Sequence, residues 1–316
     1  MKKPLIILSG PTAAGKSKLS IALAKKLNGA IISADSVQVY RGMDIGSAKI
    51  MPEEMDGVKH YMIDVLEPDD DFHVYRFHEM VKACLEEIYS QGLVPILVGG
   101  TGFYIQAILY DIDFTKDSGD KTLRAQLEEI AQTKGAEFLH GLLREVDPES
   151  ADVIHMNNIK RVIRALEYYH ETGEKISEHN EAERQKESPY NFAYFVLTDE
   201  RELLYERINR RVDIMVEQGL IDEVKSLRQK GYTKNLVSMQ ALGYKEIHDY
   251  LDGITDLERA LYLIKRDTRH FAKRQLTWFA REKEVIWINR SEYNQDEERI
   301  LQYMLTEWEK RGNNIC

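Results

Sequence analysis

Residues 5–17 read LIILSGPTAAGKS, and the organisation of the whole chain follows from them. Leu5, Ile6, Ile7 and Leu8 are a short apolar run of the kind that forms a buried strand. Gly10, Pro11, Thr12, Ala13, Ala14, Gly15, Lys16 and Ser17 then fit the spacing G-x-x-x-x-G-K-S, and Lys18 to Leu27 continue as an amphipathic helix. The glycines let consecutive amides point inward, and the helix adds the positive end of its dipole, so the turn becomes an anion nest. In that frame Lys16 reaches phosphate oxygens and the Ser17 hydroxyl binds a magnesium ion bridging them. The stretch predicts a polyphosphate site. It does not choose ATP over another polyphosphate.

Composition bounds the rest. With 316 residues the chain can bury a sizeable core, as one large domain or as a core with an insertion. The formal net charge is −10, so a nucleic-acid partner needs a local concentration of basic side chains. Two cysteines, Cys84 and Cys316, form no framework, which fits a reducing cytoplasm and excludes a cysteine zinc site. The apolar run after Lys2-Lys3 is too short for a signal peptide and ends in the glycine loop. No stretch is long enough to span a membrane, and nothing points to an obligate protein partner.

After the first helix, residues 30–34 (AIISA) read as a second strand ending at Asp35-Ser36. In open parallel sheets ligands bind at the carboxyl ends of strands, which puts Asp35 beside the glycine loop. Asp-Ser is equally a helix or turn cap, and position alone leaves both readings open. Residues 37–49 have no clean period and read as an irregular polar wall or a surface loop. A short strand is expected within Val58–Val65 and a helix over 72–91. Residues 93–98 (LVPILV) read as a buried strand running into Gly99-Gly100-Thr101-Gly102. ATP-hydrolysing switches usually end this strand in an acidic residue, so the glycines favour a transferase of the small-kinase type. Thr101 is a phosphate donor or a cap for the helix over 103–110.

The character changes near Asp111. Residues 113–120 read as a polar linker, and helices are expected over 123–134, 136–145 and 158–171. Strand character returns only at 192–197 (FAYFVL), after Pro189. The predicted architecture is therefore an α/β phosphate-loop core, 1–112 and 190–316, with a parallel sheet flanked by helices and a mostly helical insertion at 113–189. Beyond Asp199 a helix brings Arg207 and Arg211 to one side, as a diphosphate clamp or as a solvated basic face. Residues 257–283 form a second informative helix, in which Arg266, Arg269 and Lys273 share a face amid Lys265, Arg274, Arg281 and Lys283. Such a local patch can hold a phosphate backbone despite the acidic total. Residues 285–288 (VIWI) are a last strand, and the tail reads as an amphipathic helix.

Together these segments resemble the tRNA dimethylallyltransferases, also called tRNA isopentenylpyrophosphate transferases, of bacterial type. The resemblance rests on GPTAAGKS (10–17), DSVQVYRGMDIGSAK (35–49), GGTGFY (99–104), KRVIRALE (160–167), SMQALGYKE (238–246) and TRHFAKRQLTWF (268–279), in the family's order and over nearly the whole length. The chain departs from the pattern at Asn157-Asn158-Ile159, where many relatives carry Asn-Asp-Pro, which bears on the cap of the following helix.

The resemblance implies a cytoplasmic enzyme that moves a dimethylallyl group from dimethylallyl pyrophosphate to the exocyclic amine of the adenosine 3′-adjacent to the tRNA anticodon. It implies that the phosphate loop holds pyrophosphate with Mg2+ on Ser17. Asp35 matches the family's catalytic aspartate, a general base of the kind that contributes about 10²–10⁴-fold. Thr101 and Arg211 or Arg207 match groups that neutralise the leaving pyrophosphate. Asp35, Ser36, Val37 and Gln38 match the stretch that meets the flipped base, with Gln38 suited to reading its edge. Thr101, Lys160, Arg161, Arg164, Gln240, Gly243, Tyr244, Lys245, Arg269, Lys273 and Arg274 match positions that face the anticodon stem-loop. An adenylate prenyltransferase acting on free nucleotides is the near alternative, and the basic helix argues against it. A small-molecule phosphate-loop kinase is the distant one, and it has no use for an anticodon-facing lobe.

Overall fold

The computed structural model describes residues 2–114 and 121–313. The chain divides into two compact units, Met1–Leu109 with Pro189–Cys316, and Tyr110–Ser188. These boundaries lie within a few residues of those expected at 112/113 and 189/190. Residues 115–120 of the expected linker lie outside the described residues.

The first unit is built on six strands: β1 (Lys3–Ser9), β2 (Gly29–Ala34), β3 (His60–Tyr61), β4 (Val94–Gly99), β5 (Tyr190–Thr198) and β6 (Val285–Asn289). They lie in the order β3-β2-β4-β1-β5-β6, and every pairing is parallel. Leu5, Ile6, Ile7 and Leu8 have no exposed area, which is why β1 reads as a continuous apolar run rather than an alternating one. Ile6 and Leu8 join α1 (Lys16–Leu27) through Leu19, Leu23 and Leu27, and α13 (Glu297–Glu309) through Ile300, Met304 and Trp308. Leu5 and Ile7, of opposite parity, face the other layer. On that layer α2 (Val74–Ser90) and α3 (Gly102–Leu109) pack close to β4. Burying each such Leu or Ile contributes roughly 1.5–3 kcal/mol.

The strand expected within Val58–Val65 shrinks to His60–Tyr61. Met62 and Asp64 take φ of 64° and 53°, in the left-handed region, so the extended run cannot continue past Tyr61. Residues 37–49 are irregular, as expected, but not superficial: Val39, Tyr40 and Met43 are core residues. The unit is completed by α9 (Arg201–Glu217), α10 (Leu220–Gln229), α11 (Tyr244–Leu251) and α12 (Leu257–Phe279). No helix among the described residues is long and apolar enough to cross a membrane.

The second unit is all-helical in its described part: α4 (Lys121–Lys134), α5 (Ala136–Val146), α6 (Pro148–Val153), α7 (Ile159–Thr172) and α8 (Ile176–Gln185). Its core gathers Leu127, Leu139, Leu143, Val162 and Ile163. Asp147 is buried there: it caps α6 through the Ser150 N–H at 3.0 Å and accepts the Ser177 hydroxyl at 2.7 Å. These donors outweigh burial and hold its carboxyl below the usual carboxylate range. Arg124 binds Glu167 through two hydrogen bonds of 2.8 and 2.7 Å.

Candidate active site

The chain leaves β1 toward β2 on one side and leaves β4 toward β5 on the other. β1 and β4 are neighbours, so their carboxyl ends flank a switch point, where open parallel sheets form ligand crevices. The loop after β1 is residues 10–15 and the loop after β4 is residues 100–101. Gly10 has φ of +142° and a Cβ there would lie 2.4 Å from the Leu197 carbonyl oxygen. A Cβ on Gly99 would lie 2.2 Å from the Ala34 carbonyl oxygen. Both glycines are therefore required by backbone approach. A cleft of about 1140 Å³ opens at this edge.

Lys16, Ser17, Asp35 and Arg211 all line the cleft. The Lys16 ammonium donates to the carbonyls of Gly10 at 3.0 Å and Pro11 at 2.8 Å. Its pKa is pulled down to about 8 by burial, and further by the nearby Arg211 charge, with Asp35 opposing. Burial likewise lowers Arg211, against the charges of Asp35 and Glu54. Arg211 makes no ion pair or side-chain hydrogen bond among the described residues. Lys16 and Arg211 thus share the cleft with the carboxylates of Asp35 and Glu54, and desolvation disfavours the charge of both cations, a cost that a bound anion offsets.

Arg207 also reaches the cleft, but it is committed: it pairs with the buried Asp199 at 2.5 Å, and Asp199 accepts from Ser291 and Gln295 as well. Of the two clamp candidates, Arg211 is therefore the one with a free guanidinium. Asp35 lines the cleft and also holds the turn that follows it: its Oδ1 accepts the N–H groups of Val37 at 2.8 Å and Gln38 at 3.3 Å. Thr101 starts α3 by backbone bonds: its carbonyl accepts from Tyr104 and Ile105.

Several expected acceptor-facing residues make bonds within the framework, Gln38 while also lining the cleft. Gln38 spends its amide on the carbonyls of Ser47 and Ala48 at 3.3 and 3.2 Å, and takes the Ser33 hydroxyl at 3.3 Å. Tyr244, expected to touch RNA, has no exposed area and donates to Glu223 at 2.7 Å. Burial and the adjacent Glu223 charge push its hydroxyl pKa well above the usual value. Gly243 is buried too, and its N–H is bound by Glu246. Tyr244 has no exposed side chain to offer an RNA in this structure, and Gly243 is buried beside it, so the expected contact of Tyr244 is replaced by its bond to Glu223. Gln240 stays exposed and bonds the Lys234 carbonyl, Ser36 is exposed, and Lys245 lies near Glu246 at 3.4 Å.

On α12, Lys273 and Arg274 are exposed, with Arg274 over the Phe271 ring, and a smaller groove of about 200 Å³ runs past them to Trp278. Arg269 is instead bound to Asn209 at 2.5 Å and Arg266 to Asp267 at 2.8 Å. On α7, Lys160 and Arg161 are exposed and Arg164 half-buried, and none has a carboxylate partner among the described residues. Asn158 gives α7 no side-chain cap, so the departure noted at 157–159 leaves that helix start held by backbone bonds alone.

Two residues escaped the sequence reading. Glu223 accepts the N–H groups of Asp44, Ile45 and Gly46 at 2.9, 2.7 and 3.1 Å. Gln275 bonds both loops at the switch point. Neither carries a periodic or spacing signal, since each acts across more than 170 residues of chain.

The sheet order, the glycine loop and the cleft at the switch point define a phosphate-loop α/β protein. A family model described as IPP transferase matches residues 38–282. The chain is 61% identical over 294 residues to the tRNA dimethylallyltransferase of Lachnoclostridium phytofermentans, covering 93% of this chain and 94% of that one. It superposes on the tRNA isopentenylpyrophosphate transferase of Bacillus halodurans with a TM-score of 0.74 at 44% identity, covering 98% of each chain. A eukaryotic dimethylallyltransferase acting on tRNA gives a TM-score of 0.79 at 30% identity, over 91% of this chain and 74% of that one. The chain belongs to the IPP transferase family.

Proposed function

We propose that this chain transfers a dimethylallyl group from dimethylallyl pyrophosphate to the exocyclic amine of the adenosine 3′-adjacent to the anticodon of tRNA. The observation that carries the reading is the pair of half-buried cations, Lys16 and Arg211, lining one cleft with Asp35. A pyrophosphate relieves their mutual repulsion, and the carboxylate stands ready for the proton that the amine must lose.

The amine nitrogen attacks C1 of the allyl group and forms the new C–N bond. The C1–O bond breaks, and its electron pair leaves on pyrophosphate. Lys16 and Arg211 neutralise that charge as it develops. The proton released by the nitrogen passes to Asp35 Oδ2, because Oδ1 is held by the amides of Val37 and Gln38. Ile214, Met215, Met51 and Phe271 line the same cleft and suit a five-carbon apolar chain. For Mg2+, the exposed Ser17 hydroxyl is a fitting single protein ligand, since magnesium keeps waters and takes substrate phosphate oxygens. No cluster of three or more His, Cys, Asp or Glu exists among the described residues to hold a resident metal. When bound, the ion neutralises pyrophosphate oxygens. Lys273 and Arg274 on α12, and Lys160 and Arg161 on α7, supply cations for the RNA backbone.

The test is label transfer from radioactive dimethylallyl pyrophosphate to an anticodon stem-loop RNA, to the same RNA with the target adenosine replaced, and to free AMP. Label in the first RNA alone is the expected result. Label in AMP reassigns the chain to free nucleotides. No label in any acceptor, with ATP-dependent phosphorylation of a small molecule instead, overturns the reading.

A further inference from the structure

We propose that Gln275 is a positioning residue of the pyrophosphate site, acting as a hydrogen-bonded rivet between the two loops of the switch point. Its Oε1 accepts the Thr12 N–H at 3.0 Å, and its Nε2 donates to the Gly100 carbonyl at 2.9 Å. The two loops follow adjacent strands whose chains depart in opposite directions, so nothing in the sheet itself fixes their separation beyond β1 and β4. Gln275 spans that gap with one planar amide, which offers an acceptor and a donor at a fixed distance.

Three observations support the assignment. Gln275 is 7% exposed on a helix otherwise rich in solvated charge, so its burial has a specific cause. A Cβ on Gly100 would lie 2.2 Å from Gln275 Nε2, so the second loop is made of glycine where the amide must enter. The residue also lines the proposed pyrophosphate cleft next to the loop it holds. Removing it leaves the Thr12 amide and the Gly100 carbonyl to turn elsewhere, and the loop that cradles phosphate shifts with them. The proposal rests on the reading of this cleft as a pyrophosphate site, and its test is chosen to separate the two.

The probes are inorganic pyrophosphate, by calorimetry, and turnover with an anticodon stem-loop RNA, in the wild type and in Gln275→Met and Gln275→Glu. Methionine keeps the length and removes both hydrogen bonds. Glutamate keeps the Thr12 acceptor and, when protonated, regains the donor toward Gly100. For Gln275→Met we expect pyrophosphate affinity to fall about tenfold and the donor KM to rise, with RNA affinity unchanged. For Gln275→Glu we expect activity relative to wild type to climb as pH falls from 8 toward about 5.5, as a carboxyl raised by burial regains its proton. Methionine has no proton to regain, and its ratio stays flat.

Pyrophosphate affinity unchanged in a folded Gln275→Met overturns the proposal. So does a Gln275→Glu ratio that is independent of pH. If Gln275→Met fails to fold, by its far-ultraviolet spectrum, the glutamate ratio alone decides. Wild type that binds no pyrophosphate instead sinks the reading of the cleft. Wild type that binds pyrophosphate but prenylates no RNA sinks the proposed function and leaves the rivet standing on the calorimetry.

Discussion

The Tyr244 hydroxyl donates to Glu223 Oε1 at 2.7 Å, and the same carboxylate collects three consecutive backbone N–H groups from Asp44, Ile45 and Gly46. Two segments far apart in sequence are joined by this one side chain. Lys49, with 1% of its side chain exposed, closes the loop from the other end by bonding the Tyr40 carbonyl, Asp44 and Asp64. The wall beside Asp35 is thus irregular in backbone but firmly held.

Removing the Glu223 carboxylate strands several amides at once. Glu223→Ala is expected to destabilise the fold by about 2–3 kcal/mol, and Tyr244→Phe by about 1 kcal/mol, read from denaturant midpoints. Because Tyr244 has no surface, Tyr244→Phe is expected to leave RNA affinity within about twofold of wild type. A larger loss of RNA affinity returns Tyr244 to the interface.

Asp35→Asn keeps an oxygen for the Val37 and Gln38 amides but takes no proton. Single-turnover rates are expected to drop about 10²–10⁴-fold while stem-loop affinity holds. Loss of affinity with chemistry intact reverses the assignment and makes Asp35 a recognition residue.

Lys16 has a pKa near 8 in the free protein, where burial and Arg211 disfavour its charge. Bound pyrophosphate favours the ammonium and raises that pKa. Below about pH 8 the lysine is already charged, and binding takes up little proton. Above it, binding draws a proton from solvent, so affinity falls as pH rises from about 8 toward 10. Calorimetry in buffers of different ionisation enthalpy measures the uptake, and Lys16→Ala is expected to abolish it. Pyrophosphate's own titration is common to both proteins and cancels in the comparison. Equal uptake in both removes Lys16 from the site.

RNA affinity is expected to decline with salt. Lys273→Ala and Arg274→Ala are each expected to reduce the slope of log affinity against log salt by about one unit, as one counterion fewer is released. Lys160→Ala and Arg161→Ala test α7 in the same way. A slope that none of the four changes takes both helices out of the interface.

The strands were readable because burial on both faces writes itself as uninterrupted apolar sequence, as in Leu5–Leu8 and 192–197. The glycine loop was readable because each fixed position has a steric or electrostatic duty. The short β3 was not, since the left-handed turn at Met62 and Asp64 leaves no mark on hydropathy. Likeness to a family brought Tyr244 and the base-reading role of Gln38 into the candidate site, and helical spacing brought Arg207, but neither likeness nor spacing carries a bond. Only the folded chain shows Tyr244 on Glu223, Gln38 on loop carbonyls and Arg207 on Asp199. Glu223 and Gln275 stayed hidden because each satisfies partners that sequence distance conceals.

One feature of the core bears on how the protein is made. Leu19 and Leu23, on the helix that opens the glycine loop, are covered by Ile300, Met304 and Trp308 of α13, and β1 lies between β4 and β5. An early helix is thus sealed by one that lies more than 260 residues later in the chain. Throughout most of its synthesis the nascent chain carries an unroofed α1, with apolar surface open to holdase chaperones. A chain stalled before Glu297 therefore holds the glycine loop on a helix that rests on the sheet but lacks the cover that α13 gives its outer side.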